Sequence, residues 1–268
     1  SLPGVYLQIL EELRRVDTSV SRVAELISQD IGMTAKVLQL VNSSFFGLSV
    51  HVQDVTHAAA LLGLNALRPL VLSAGVFRQL EESKVPAALV EEVLNHSLAV
   101  GQLGKQIAEA EGLDRESADN AMLAGILHDV GKLVLADYFG QNYSTVCLAA
   151  KRTRLPLLEA ELDQFDASHA DVGGFLLGLW GLPQELIEAV AFHHDPGAHA
   201  VTDFTPLSAV HVANALTHEI EALDPASAEE GSPEAPLTSL DMAYLTSIGC
   251  GHRLEAWRSI AADAFSHA

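Results

Sequence analysis

Cysteine is nearly absent: the chain has two, Cys147 and Cys250, in 268 residues. Two thiols make no disulfide framework and supply no cysteine-based zinc site. Positive charge is also scarce. Fifteen Lys and Arg stand against 35 Asp and Glu, for a net charge of −20. So acidic a surface repels DNA, RNA and anionic membranes, which excludes broad nucleic-acid binding unless a local basic patch dominates. No apolar run approaches the roughly 18 residues of a membrane span. No signal peptide opens the chain, so the expected setting is reducing and cytoplasmic. The abrupt start at Ser1-Leu2-Pro3-Gly4 suits a piece of something longer. Strand alternation is missing as well, which predicts an all-α fold.

What is present is an apolar content of 49%, enough for a sizeable core, arranged with helical spacing. Tyr6, Ile9, Leu10 and Leu13 fall on one helical face, and Val23, Leu26 and Ile27 repeat the pattern. Asp30 is a good N-cap for a helix through Val37, Leu38 and Val41, which Asn42-Ser43-Ser44 then breaks. Asp54 can cap a short helix ending near Gly63, and Asn65 the next. Pro86 suits the first turn of a long helix from about Ala87 to Glu111, with Gly112 as its stop. Further helices are predicted near 115–128, 132–139, 142–152, 156–164, 168–180, 184–194 and 206–222. Residues 224–237, small, acidic and Pro-rich, read as a linker. Short helices follow around 240–248 and 254–265. A soft boundary at Glu81–Pro86 separates an N-terminal helical lobe, 1–85, from a His-rich lobe, 86–222. Residues 238–268 form a helical tail.

The 12 histidines are informative by position. Glu92 and His96 lie one turn apart on the long helix. His128-Asp129 ends another helix within Leu127-His128-Asp129-Val130-Gly131-Lys132. His169 opens a helix, and His193-His194 closes the helix that begins after Pro183. Side chains at helix termini and on helix faces can converge on one point. Imidazole with carboxylate suits Fe, Mn, Zn or Ni better than Ca or Mg. Two close divalent ions would need about this many ligands, and such a pair can activate water against a phosphoryl group. The plain alternative is a buried polar cluster whose members satisfy one another.

The Leu127–Lys132 segment, with His96 upstream, resembles the HD superfamily of metal-dependent phosphohydrolases. That resemblance makes His96 the first His of the motif and His128 and Asp129 its doublet. The later metal-binding Asp falls in His211-Val212-Ala213-Asn214, where Asn214 replaces the acid with a neutral, weaker ligand. Glu92, His169, His193 and His194 match in type and order the extra ligands of the HD-GYP phosphodiesterases of cyclic di-GMP. The Gly-Tyr-Pro segment of that branch is missing, and Asp195-Pro196-Gly197-Ala198 follows His194 instead. Lys132 matches a lysine that can face a substrate phosphate, with a solvated helix lysine as the plain alternative.

The N-terminal lobe resembles the HDOD domain, the signal-output relative of the HD fold. The likeness is carried by Ile27-Ser28-Gln29-Asp30, by Lys36 to Gly47, and by Ala59 to Leu67, and it covers about residues 1–222. It implies a bacterial signalling module of two-component type, an unknown protein partner, a possible receiver domain ahead of Ser1, and little or no catalysis. One or two transition-metal ions would be held by Glu92, His96, His128, Asp129, His169, His193, His194 and Asn214. The competing expectation is a metal-dependent phosphohydrolase or phosphodiesterase acting on a nucleotide or cyclic dinucleotide, with Lys132 steadying the charge.

Other features have plain readings. Lys151-Arg152-Thr153-Arg154, the one dense basic run, is a solvated helix end, its alternative a phosphate or nucleotide contact. Phe45-Phe46 reads as packing the junction of the lobes, its alternative a partner site. Gly173, Gly174 and Gly178 in one helix cost about 1 kcal/mol each relative to Ala, which close approach of another helix would explain. Cys147 reads as core, Trp180 as a packing anchor, and His211 as core or as support for the metal shell. His51, His57, His199, His218, His252 and His267 read as ordinary.

Overall fold

A computed structural model describes residues 8–9, 11–12, 15, 17–42, 51–81, 85–199, 202–222 and 240–266, without the side chains of 64–66, 68–69, 72 and 76–81. The expectations for Tyr6, Leu10 and Leu13, the Asn65 cap, Phe45-Phe46, the 224–237 linker and His267 lie outside the described residues or side chains. Among the described residues every regular element is a helix. The chain divides into two compact units, the first holding Ser1–Ser83 and the second Lys84–Ser266.

In the first unit, α1 (Val20–Ser28) and α2 (Ile31–Val41) pack on each other and on α3 (Val55–Glu81). Ser19 caps α1 through the Arg22 amide, and Asp30 caps α2 through the Met33 amide, as its sequence position predicts. Asp54 accepts from the His57 amide at the start of α3. At Gly63 the backbone turns to φ 76°, which breaks the helical run inside α3. Asn42 bonds Leu38 and both backbone groups of Val52, tying the end of α2 to the entry into α3.

The second unit begins with α4 (Ala87–Ala110), stopped by Gly112 at φ 80°. It continues with α5 (Arg115–Leu127), α6 (Val130–Phe139), α7 (Gln141–Thr153), α8 (Leu157–Phe165), α9 (His169–Leu179), α10 (Gln184–Ala191), α11 (Pro206–Glu221), α12 (Met242–Ser247) and α13 (Leu254–Ser266). Its centre is the α4–α5 pair with α11 packed against both. The pair approaches closely because Gly101 and Gly125 face each other. A Cβ at Gly125 would stand 2.6 Å from the Gly101 Cα, and one at Gly101 would stand 2.7 Å from the Met122 carbonyl. That crossing lies within about a turn and a half of His96 and one turn of His128 and brings their helices together. The C-terminal α13 packs on α4 and α11, with Trp257 fully buried. The indole of Trp257 and the guanidinium of Arg253 both donate to Glu111 Oε1 at 2.8 Å.

The triple-glycine helix α9 also has its reason. A Cβ at Gly174 would meet that of Ala191 at 2.8 Å, and one at Gly173 would meet Val190 at 3.0 Å. Close packing of α9 on α10 therefore requires both. Gly178 is different, since its Cβ would find only Ile187, at 3.8 Å.

Candidate metal centre

Four helix ends and two helix faces of the second unit deliver the site. His128 closes α5 and Asp129 opens α6, so the doublet sits in a corner between helices. His169 is the first residue of α9, fixed by a capping box in which Ser168 and Asp171 bond each other's backbone amides. A Cβ at Gly131 would collide with the His169 carbonyl, so the starts of α6 and α9 touch backbone to backbone. His193 and His194 lie in the turn just past α10, not within it. His96 comes from the middle of α4 and Asn214 from α11. His96, His128, Asp129, His169, His193 and Asn214 are all buried, with His128 and His169 at zero exposure.

The hydrogen bonds around the rings fix which nitrogen is free. His128 Nδ1–H donates to the Gly125 carbonyl at 2.7 Å, and His193 Nδ1–H donates to the Val190 carbonyl at 2.7 Å. Each ring therefore directs an Nε2 lone pair inward, and neither Nε2 has a hydrogen-bond partner. Asp129 Oδ1 is also buried without one. It lies 3.4 Å from His169 Nε2, while Oδ2 lies 3.4 Å from His128 Nε2. His169 Nδ1 donates to Glu161 Oε2 at 2.6 Å, and the His169 backbone amide reaches the same oxygen at 2.7 Å. Tyr143 holds the other Glu161 oxygen at 2.7 Å. So oriented, His169 Nε2 stands 2.9 Å from His194 Nε2.

Electrostatics agree with ligation. Burial pushes His128 down to about 3, and it holds His193 and His194 well below the usual histidine value, so all three rings are neutral. Burial works to raise the Asp129 carboxyl. The carboxyl nevertheless stays well below its ordinary value, held ionised by the Lys132 ammonium beside it. Neutral imidazoles beside a carboxylate are the protonation states a metal needs.

His96 stands apart. Its Nδ1 donates to both Glu221 oxygens, at 2.9 and 3.1 Å, and its Nε2 lies 3.0 Å from Asn214 Oδ1. Burial works to lower its pKa, but the Glu221 carboxylate raises it above the ordinary value. The His218 ring stacks on it at 4.3 Å. Glu92, proposed from its spacing to His96, is not brought in. Its side chain is 68% exposed and faces Lys151 at 3.9 Å. Position 92 is in the second turn of α4, where the helix borders solvent. Lys132 donates to Asp129 Oδ2, which makes it a partner of the site's carboxylate rather than a free surface lysine. His211 is wholly committed, donating to the His193 carbonyl at 2.8 Å and accepting from the Asp241 amide at 2.9 Å. It fixes the turn that carries His193. Lys151 and Arg152 occupy the last turn of α7 and are exposed. Cys147 is half-buried rather than core, and Trp180 is half-buried at the end of α9.

Glu161, Tyr143, His218 and Glu221 also surround the site, without having been expected there from the sequence. Two of these had a signal: Asn214, His218 and Glu221 follow helical spacing on one face of α11. The gathered donors fit a transition-metal ion. His128, His193, His169 and His194 offer imidazole nitrogen and Asp129 offers oxygen, in a pocket where three of these donor atoms otherwise lack a partner.

A helical bundle that gathers a His-Asp doublet and further histidines from helix ends is of the HD type. The chain belongs to the HDOD family, whose domain model matches residues 1–196. It is similar to a solved HDOD domain protein of unknown function from Geobacter sulfurreducens, 26% identical, with a TM-score of 0.72 over 99% of this chain and 88% of that one. An uncharacterized protein of Treponema pallidum is 28% identical over 80% of this chain and 41% of its own length. Ribonuclease Y of Thermus thermophilus is 25% identical over 70% of this chain and 27% of its own length. The chain thus spans less than half of these two curated relatives.

Proposed function

We propose that the chain is a signal-output module that carries a buried HD-type metal site and performs little or no hydrolysis. It would work in the bacterial cytoplasm, relaying the state of an upstream domain, such as a receiver, to a protein partner. The carrying observation is the set of buried donor atoms without partners: His128 Nε2, His193 Nε2 and Asp129 Oδ1. Leaving such groups bare costs about 1–3 kcal/mol each, and ligation of Fe, Mn, Zn or Ni removes that cost. His128, Asp129, His169, His193 and His194 would hold the ion, which supplies charge and fixed geometry across α5, α6, α9 and α10. Two features favour a structural or sensory role. Asn214 puts a neutral amide on His96 where the superfamily has an acid. The segment after His194 is a tight Pro196–Ala198 turn in place of a Gly-Tyr-Pro loop.

The second reading, a phosphohydrolase or phosphodiesterase, is favoured by Lys132, whose ammonium borders the same pocket through Asp129. One experiment separates the two. Protein purified without chelator is assayed for metal content and for turnover of cyclic di-GMP and p-nitrophenyl phosphates. The signalling reading expects stoichiometric transition metal and no turnover. Turnover abolished by His128→Ala with Asp129→Ala establishes the enzyme instead, and absence of Fe, Mn, Zn and Ni sinks both metal versions.

A further inference from the structure

We infer that His96, His218 and Glu221 form a second, outer metal site, which takes a borderline divalent ion such as Zn2+ or Ni2+ through two imidazole nitrogens and one carboxylate oxygen. The inference goes beyond the inner site and shares none of the five residues assigned to it.

The site follows from α11. His218 and Glu221 are three residues apart, so one helical turn presents both on the same side, a spacing that chelates metals in helical bundles. The opposing donor is His96 Nδ1 from α4. It stands 2.9 Å from Glu221 Oε1, His218 Nδ1 stands 3.3 Å from Glu221 Oε2, and donor atoms of the three residues lie within 4.8 Å of one another. Donors about 2.0–2.2 Å from a common ion are separated by roughly 3–3.5 Å, the spacing at which both nitrogens already stand from the carboxylate. The His96 and His218 rings stack 28° from parallel, and both Nδ1 atoms face the Glu221 carboxylate.

Asn214 decides the direction of His96. Its Oδ1 is an acceptor 3.0 Å from Nε2, so the inner nitrogen keeps its proton and is not a ligand. When the Nδ1 proton leaves to solvent, the lone pair points outward, at His218 and Glu221. Asn214 thus occupies the inner nitrogen of His96 and leaves Nδ1 to the outer pocket. The outer site is also reachable, with 31% of the His218 side chain and 42% of the Glu221 side chain exposed. Water can complete the ion's coordination there.

The test titrates Zn2+ into the chelator-stripped full chain and counts bound equivalents after desalting. The unsubstituted chain, His218→Ala, Glu221→Gln and His193→Ala are compared, each checked for helicity. Because His218 and Glu221 are partly exposed, their substitution leaves the core packed. We expect two equivalents for the unsubstituted chain and one for each variant. The outer site is overturned if His218→Ala and Glu221→Gln bind as much Zn2+ as the unsubstituted chain with unchanged affinity. It is equally overturned if His193→Ala alone removes all binding. If His193→Ala instead loses nothing while His218→Ala does, the outer site stands and the inner one fails.

Discussion

Glu161 is a fully buried carboxylate that does not face the pocket. It accepts from the ring and the amide of His169 and from Tyr143, and so fixes the His169 tautomer and angle. Such supporting carboxylates raise ligand basicity, and their loss typically costs about 10–100-fold in metal affinity. Glu161→Gln keeps the volume and removes the charge. It should weaken metal binding by about that factor in competition with a chelator while helicity persists; unchanged affinity would refute the role. That His128, Asp129, His169, His193 and His194 gather in one place was legible because the motif resemblance picks out those positions. Glu161 was not, and for Glu221 the sequence showed only a shared helix face with Asn214 and His218, not its partner. Glu221 meets His96 across 125 residues of sequence, and no local pattern encodes that meeting. Glu92 failed in the opposite way: helical spacing put it beside His96, but spacing does not say where a helix passes out of its neighbours' shelter.

Helix boundaries were the most legible feature, because caps and stops act locally. Asp30, Asp54, Pro86 and Gly112 sit where their chemistry requires. Helix contacts were half legible. The run of glycines in α9 announced a close approach, and Gly173 and Gly174 show it, but Gly178 does not. The structure separates these cases by experiment. Gly125→Ala drives a Cβ into the Gly101 backbone, so it should destabilise by about 1–3 kcal/mol through overpacking and reduce metal binding with it. Gly178→Ala meets only ordinary contact and should be neutral or stabilise by up to about 1 kcal/mol. Denaturant melts of both variants check this. Equal effects would mean that the α4–α5 crossing is looser than described.

For the whole molecule, a reserve of neutral buried histidines predicts acid sensitivity. His128, His193, His194, His211 and His218 all have pKa values lowered by burial. As pH falls through about 6.5 the unfolded chain gains protons that the folded chain refuses, and each such proton costs about 1.4 kcal/mol per pH unit. His96, raised by Glu221, works the other way: its stabilisation is full below about 6.5 and fades as pH rises through its raised value. The depressed rings outnumber it. The chelator-stripped chain should therefore lose stability from pH 7 to 5 in denaturant melts, and a flat profile would contradict the buried neutral rings. The inner site requires imidazoles far apart in the polypeptide to close around one ion inside the second unit. X-ray absorption at the metal edge of the protein as purified tests it most directly. The expected result is a shell of nitrogen and oxygen without sulfur, at about 2.0–2.2 Å, with the outer-shell scattering of several imidazoles that disappears in His128→Ala with His193→Ala. A shell of water and carboxylate alone, unchanged in that double variant, would contradict it.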